Sequence, residues 1–316
     1  LPPAGRPDPA AGTYNEGASP LVTVIIPCFN QGHYLEQSVM SALSAGTCPM
    51  EILVVDDGSE ASTRQELERL AAEQPQVTLV RLAQNAGKGA AVIRGLEECA
   101  RAGYTHAVQV DADGQHAIED IPKLLALAEC HPDALISGQP IYDDSIPRSR
   151  LYGRWVTHVW VWIETLSLQL KDSMCGFRVY PVSPTLRLAA RETLGKRMDF
   201  DTEVMVRLYW QGNASVFLPT RVTYPQDGLS HFDALKDNVR ISLMHTRLFF
   251  GMLPRIPALL LRRRINRPGK RRPGAVVVRP QHRSVRWHCE SGQREIDEAA
   301  HLRRNAPIRR IEQMHR

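Results

Sequence analysis

Nowhere in these 316 residues is there an unbroken apolar run of the roughly 18 residues that a helix needs to cross a bilayer. The nearest stretch, LFFGMLPRIPALLL at 248–261, is short and interrupted by Pro254, Arg255 and Pro257, so it can lie on a membrane but not span one. Residues 1–20 lack the apolar segment of a secretory signal, and their Pro, Gly and Ala content predicts disorder. Leu1 in place of Met points to a fragment or a processed product. The six cysteines, Cys28, Cys48, Cys99, Cys130, Cys175 and Cys289, include no CxxC pair. That absence argues against a zinc site or a disulfide frame, and for reduced core thiols in a cytoplasmic protein. Neither a Walker G-x-x-x-x-G-K-[ST] nor a complete G-x-G-x-x-G is present.

What is present divides by charge. Residues 262–316 hold 16 Lys and Arg against 5 Asp and Glu, so with a net charge of +5 for the chain the remainder is acidic. The basic tail, 265–316, has little periodicity and no aromatic apart from Trp287, and no specific nucleic-acid binding is expected of it. A salt-sensitive gel shift lost on deleting that tail is the observation that would favour a nucleic-acid binder instead.

With 43% hydrophobic residues the body can bury a large core. Strand and helix patterns alternate along it: strands at 21–27, 51–55, 77–82, 105–110 and 134–137, and helices at 32–45, 62–73, 86–102 and 118–130. Repeated strand-helix units predict an α/β fold with a mostly parallel central sheet flanked by helices, with ligands at the carboxyl ends of its strands. Further on, Leu151, Trp155, Val159, Trp162, Leu166 and Leu170 recur at helical spacing, and the expectation is that they pack on the sheet. The segment 239–264 mixes apolar residues with Arg240, Arg247, Arg255 and Arg262 to Arg264, as an interfacial helix does; a helix docked on the sheet is the competing reading.

The polar motifs fall at the predicted strand ends. In DADGQH, 111–116, Asp111 and Asp113 point to one side because strand residues two apart share a face, Gly114 lets the backbone turn, and Gln115 offers a neutral oxygen. Two such carboxylates can hold a divalent cation, Mg²⁺ or Mn²⁺, against a diphosphate. In VVDDGS, 54–59, Asp56 and Asp57 can accept from a base or ribose, or cap the next helix. NAGKGA, 85–90, pairs backbone N–H groups with Lys88 as a phosphate cradle, or is a plain glycine loop with a solvated lysine. Arg178 offers bidentate bonding to a phosphate or an ion pair with a carboxylate such as Asp172, and His231 can complete a metal shell or be an ordinary loop histidine.

Taken in order, VIIPCFNQ, VVDDGS, NAGKGAA, VDADGQH, DSMCGFRVYP and FDTEVMVRLYWQG resemble the family 2 glycosyltransferases of the GT-A fold. The branch they look most like contains the polyprenyl- and dolichyl-phosphate mannose synthases. The resemblance covers about residues 20–250, and it implies a single GT-A domain over 21–235 followed by an amphipathic helical segment at 236–264. By the same resemblance Pro27, Phe29 and Gln31 line a nucleobase pocket, and Asp57 with Asp56 binds base or ribose. Asn85 and Lys88 lie beside the nucleotide, and Asp111, Asp113 and Gln115 hold the metal. Arg178 contacts a phosphate, and Arg150 and Arg154 match a further phosphate-binding arginine loosely. Gln31 stands where many relatives have Glu, and the pair of C-terminal membrane spans of some relatives is missing, which makes bilayer contact peripheral, on an anionic cytoplasmic face.

The activity this implies is an inverting, metal-dependent transfer of a sugar from a nucleotide-diphosphate sugar to a polyprenyl phosphate or other lipid-linked acceptor. A lipid phosphate needs no protein base; a hydroxyl acceptor needs one, for which Asp201 and Glu203 are the candidates. A sugar nucleotidyltransferase and a nucleotide-binding protein without turnover are the rival readings. The first of these would want a Gly-rich, Arg-bearing loop after the first strand, where PCFNQGHYL has none.

Overall fold

In a computed structural model the described residues are 22–45, 51–142, 146, 148–223 and 234–265. The expectations for residues 1–20, for His231 and for all of the basic tail beyond residue 265 lie outside them. Four strands run parallel in the first half: β1 (Val22–Cys28), β2 (Glu51–Asp56), β3 (Val77–Arg81) and β4 (His106–Gln109). With β5 (Leu135–Tyr142), β6 (Arg178–Pro181) and β7 (Ser215–Val222) they form one seven-stranded sheet of order β3-β2-β1-β4-β6-β5-β7. Only β6 is reversed, antiparallel to both β4 and β5, while β5 and β7 are parallel.

The alternation of side chains along each strand builds a core on both faces of the sheet. Val24, Ile26, Ile52 and Val54 pack with Leu35 and Val39 of α1 (Gly32–Ala45), Leu67 and Leu70 of α2 (Ala61–Glu73) and Leu124 of α4 (Ile121–Cys130). Their neighbours Ile25, Leu53 and Val55 face the other way, against Val92 and Leu96 of α3 (Lys88–Arg101), Leu188 of α6 (Val182–Arg191) and Phe200 and Val204 of α7 (Phe200–Gln211). Each fully buried Leu, Ile or Phe contributes about 1.5–3 kcal/mol, so removing one leaves a cavity that neither layer can close.

Two expectations are corrected here. The large residues at helical spacing divide: Leu170 is buried, Leu166 packs against the core and Val159 and Trp162 are half-buried, but Leu151 and Trp155 of helix α5 (Arg148–Thr165) are exposed, and the residues that helix buries are Thr157, Val161, Glu164 and Thr165. The cause is the pairing of Glu164 with His245 of α8 (Ala234–Met252) at 2.8 Å, which rolls the helix so that its polar stripe faces the protein. Secondly, the cysteines are not all reduced: Cys28, Cys99 and Cys175 are free and buried, whereas Cys130 is disulfide-bonded. Spacing along the chain does not register a pair that folding alone brings together.

Of the C-terminal segment, Met244, Leu248 and Met252 of α8 and Leu259 of α9 (Ile256–Ile265) are buried against the body. Leu235, Val239, Leu243, Phe250 and Leu253 face outward. No helix among the described residues is long and apolar enough to cross a membrane.

Candidate active site

The ends of β1, β2 and β4 and the start of β6 meet at one edge of the sheet. Register fixes this: Cys28 lies beside Asp56, Ile25 beside Gln109, and Gln109 beside Arg178. Each strand therefore delivers its motif to the same place.

The loop after β1 is braced by Asn30, whose φ of 52° is left-handed, a region that asparagine tolerates. Its backbone N–H donates to Ser59 Oγ at 3.0 Å, and its Oδ1 accepts from the Glu60 N–H at 2.9 Å. Pro27, Phe29 and Gln31 stand around it, each half-buried.

Asp56 and Asp57 are both buried, and each is engaged. Asp56 accepts from the Ser59 N–H at 2.9 Å and from Arg81 Nε at 3.0 Å. Asp57 accepts from the N–H groups of Ala86 and Gly87 at 2.7 and 2.8 Å, tying the end of β2 to the glycine loop. Burial pushes the Asp57 carboxyl up, and those two N–H bonds hold it down in part. Gly87 has φ 100°, and a Cβ there would collide with the Lys196 carbonyl, so only glycine lets the loop lie this close to 195–197. Beside it the Asn85 Oδ1 is buried with no hydrogen-bond partner among the described residues.

Lys88, at the start of α3, reaches across to the DADGQH loop. Its Nζ donates to Asp111 Oδ2 and to Asp201 Oδ2, both at 2.8 Å. Burial disfavours the ammonium, but the two carboxylates outweigh it and push its pKa up. Burial likewise opposes a charge on Asp111, yet Lys88 and His116, whose Nε2 is 4.0 Å from Oδ2, hold that carboxyl well below the usual range. The other oxygen of Asp111 accepts from Gln109 Nε2 at 3.0 Å, and Gln109 in turn accepts from the Tyr180 hydroxyl at 3.1 Å. Gln109 has a legible signal: it is the polar residue that closes β4, two positions before Asp111.

Asp113 differs from Asp111. Its Oδ1 accepts from the Gln115 N–H at 3.1 Å, burial raises its pKa, and the neighbouring Asp111 charge raises it further. Asp111 and Asp201 thus share one ammonium, Arg178 Nη1 lies 3.8 Å from the other oxygen of Asp201, and Asp113 adds its charge beside Asp111. Among the described residues no cluster of three or more His, Cys, Asp or Glu is arranged as a complete metal cage. The carboxylate pair Asp111 and Asp113 nonetheless fits Mg²⁺ or Mn²⁺, which commonly take one or two protein carboxylates and fill the rest of the shell with water and phosphate oxygens. Gln115 is half-buried beside the pair, and its carbonyl accepts from the Thr223 N–H at 3.1 Å, anchoring the loop to β7.

The segment 172–176 closes the other side. Asp172 Oδ1 accepts from the N–H groups of Met174 and Cys175, both at 2.8 Å, while Oδ2 pairs with Arg154 Nη2 at 2.7 Å and has His158 Nε2 at 3.8 Å. Arg154 also lies over the Tyr142 ring, 5.3 Å from its centroid. Gly176 backs directly on Asp111 and Lys88, where any Cβ would collide with the Asp111 carboxylate.

Arg178 is not where a phosphate can reach it. Its side chain is 0% exposed, and its terminal nitrogens donate to the carbonyls of Asp201 and Ser173 at 2.6 and 2.7 Å. It also leaves Asp172 to Arg154. Glu203 is equally committed, accepting from the Gly195 N–H at 2.7 Å, from Arg207 Nε and Nη2 at 3.0 and 2.8 Å, and from Arg247 at 3.3 Å. Burial raises its pKa against these donors. Of the two candidate bases, only Asp201 joins the Lys88–Asp111 cluster.

Comparison with known proteins decides the family. The model of glycosyl transferase family 2 matches residues 23–196. The chain belongs to glycosyltransferase family 2. Among its relatives, the polyprenol monophosphomannose synthase of Mycolicibacterium smegmatis is 29% identical over 220 residues, covering 66% of this chain and 79% of that one. The undecaprenyl-phosphate mannosyltransferase of Micrococcus luteus is 29% identical over 202 residues, covering 63% and 82%. A crystal structure of glucosyl-3-phosphoglycerate synthase from Mycobacterium tuberculosis, in complex with Mn²⁺, UDP and phosphoglyceric acid, shares the fold with a TM-score of 0.54 at 15% identity, covering 75% of this chain and 78% of that one. This family 2 glycosyltransferase therefore has the GT-A architecture that its motifs imply.

Proposed function

We propose that the protein transfers a sugar from a nucleotide-diphosphate sugar to a polyprenyl phosphate, with inversion at the anomeric carbon and with Mg²⁺ or Mn²⁺ bound. The observation that carries this reading is the Lys88–Asp111–Asp201 cluster beside Asp113 at the ligand edge of the sheet. The names of the relatives, a polyprenol monophosphomannose synthase and an undecaprenyl-phosphate mannosyltransferase, support the acceptor class.

Asp111 and Asp113 would hold the cation, with Gln115 beside them, and the bound ion supplies charge neutralisation of the departing diphosphate. Around it the chain's own groups do the rest. Pro27, Phe29 and Gln31 form the wall for the base, and the orphaned Asn85 Oδ1 awaits a donor from the nucleoside. Asp57 acts through the loop it holds, presenting the N-terminal end of α3 to the phosphates. Lys88, fixed by two carboxylates, is a preorganised ammonium where negative charge develops, which costs no reorganisation during the reaction. The lipid phosphate attacks as an anion, so no proton need be removed, consistent with Glu203 being sequestered and Asp201 being paired with Lys88. Arg154, paired with Asp172 beside the segment 172–176, is the cation nearest the incoming phosphate, and the His158 imidazole next to it is kept neutral because burial lowers its pKa.

The test is transfer from a panel of nucleotide sugars to a short-chain polyprenyl phosphate, with and without Mn²⁺, by wild type and Asp113→Ala. Metal-stimulated transfer that the variant loses supports the reading. Wild-type-like transfer by Asp113→Ala with unchanged metal dependence removes the site.

A further inference from the structure

Gln109, Arg178 and Tyr180 are all 0% exposed, three polar side chains on the two central strands of the sheet. Register and alternation bring them together: Gln109 lies beside Arg178 across the β4–β6 pair, Tyr180 is two residues from Arg178 on the same face, and Val108 and Val179 point to the other. Well-packed apolar residues there would give a sheet of similar stability, since buried hydrogen bonds return little more than the desolvation they cost. What these three residues add is geometry.

The direction of each bond follows from the charge on Asp111. Against the cost of burial, Lys88 and His116 keep that carboxyl ionised, so it can only accept. The Gln109 amide must therefore turn its NH₂ to Asp111 Oδ1, at 3.0 Å, and its Oε1 to the Tyr180 hydroxyl, at 3.1 Å. Burial pushes the pKa of that hydroxyl up against the pull of the Arg178 guanidinium beside it, so Tyr180 keeps its proton and donates. The other oxygen of Asp111 accepts from Lys88, which also donates to Asp201 Oδ2, and Asp201 Oδ1 lies 3.8 Å from Arg178 Nη1. These groups close a ring in which two cations balance two carboxylates. Asp113 stands outside it, and among the described residues its carboxylate accepts only from the Gln115 N–H. Held at both oxygens, Asp111 is the fixed member of the pair.

We propose that Gln109 and Tyr180 are positioning residues for the divalent cation: Tyr180 sets the orientation of the Gln109 amide, and Gln109 fixes the Asp111 carboxylate before any cation arrives. This deepens the reading of Asp111 and Asp113 as cation ligands and rests on it. Groups that orient a ligating side chain from behind commonly change metal affinity by about 10–100-fold when they are removed.

The test is titration of the full chain with Mn²⁺, read by electron paramagnetic resonance with and without UDP or GDP, beside thermal denaturation. Gln109→Met keeps the length of the side chain without its N–H donor, and should weaken Mn²⁺ binding by about tenfold or more. Tyr180→Phe removes a single oxygen and frees the amide to turn, and should weaken Mn²⁺ in the same direction. Adding Tyr180→Phe to Gln109→Met should change the affinity no further, because the hydroxyl acts through the amide. Thr185→Val deletes a buried hydrogen bond to the Pro181 carbonyl, at the end of β6 but outside the ring; it should lower Tm and leave Mn²⁺ affinity unchanged. Wild-type Mn²⁺ affinity in Gln109→Met and Tyr180→Phe would overturn the positioning role while leaving the metal site intact. An equal loss in Thr185→Val, or additive losses in the double variant, would overturn it too. Should Gln109→Met not fold, Tyr180→Phe decides alone. If wild type binds no Mn²⁺ in any arm, the metal reading itself falls, and this inference with it.

Discussion

Arg178 donates to the carbonyl of Asp201 at 2.6 Å from a site that water does not reach, so the guanidinium fixes the first turn of α7 rather than a ligand. Replacing it by lysine keeps the charge but not the fork that serves the carbonyls of both Ser173 and Asp201. Arg178→Lys is expected to cost about 3–5 kcal/mol and to lower Tm by on the order of 10 °C. Differential scanning calorimetry checks this. An unchanged Tm with impaired nucleotide binding would show instead that Arg178 meets a phosphate.

Lys88 occupies the charge that a divalent cation would otherwise compensate. Lys88→Met removes the competitor and leaves Asp111 and Asp201 facing one another, so Mn²⁺ should bind more tightly without nucleotide, by about tenfold or more. Transfer should nevertheless fall by about 10²–10³ for want of the fixed ammonium. Titration of free Mn²⁺ by electron paramagnetic resonance reads the first effect and steady-state kinetics the second.

The two N–H donors on Asp57 make a similar case for the glycine loop. Asp57→Asn turns one acceptor oxygen into an NH₂ that faces the N–H of Ala86 or Gly87, and should cost about 1–3 kcal/mol. Nucleotide affinity should drop with it, because the loop no longer holds the end of α3. Isothermal titration with UDP and GDP, beside thermal denaturation, would separate this from a change in stability alone.

His106 provides a pH dependence. It is buried at the start of β4, its Nε2–H donates to the Pro132 carbonyl at 2.9 Å, and burial lowers its pKa from the ordinary 6.5. The folded state therefore binds this proton less readily than the unfolded chain. The stability it contributes is present above pH 6.5 and is lost as pH falls below that value toward the folded pKa. Chemical denaturation between pH 5 and 7.5, as roughly the window in which histidine titrates, should show a decline on the acid side that His106→Gln makes shallower.

Much of this could be read from the residues in order. The alternation of VTVIIPC, EILVVD and HAVQV gave strands whose ends carry the polar motifs, because a buried parallel strand is a run of apolar residues that must stop where the ligands begin. The joining of Asp111 with Lys88 needed more, since 23 residues separate them and only the register of β1 against β4 brings them together. For Arg178 the sequence offers a phosphate or a carboxylate; the fold gives it the carbonyls of Asp201 and Ser173, which no motif marks because every residue carries one, beside the Asp201 carboxylate at 3.8 Å. Leu151 and Trp155 of α5 face outward while Leu166 and Leu170 pack inward, because helical spacing shows that a stripe exists without showing where along it the core ends. A lipid surface and a protein core ask for the same residues.

Because β5 finishes and β6 begins at the ligand edge, the chain between Tyr142 and Arg178 departs from and returns to the same rim of the sheet. Such an excursion is topologically detachable: exchanging it between relatives would leave every strand pairing in place, provided the 172–176 segment that backs on Asp111 and holds Arg178 is kept. Variation can thus enter through α5 without disturbing the register that joins Lys88 to Asp111.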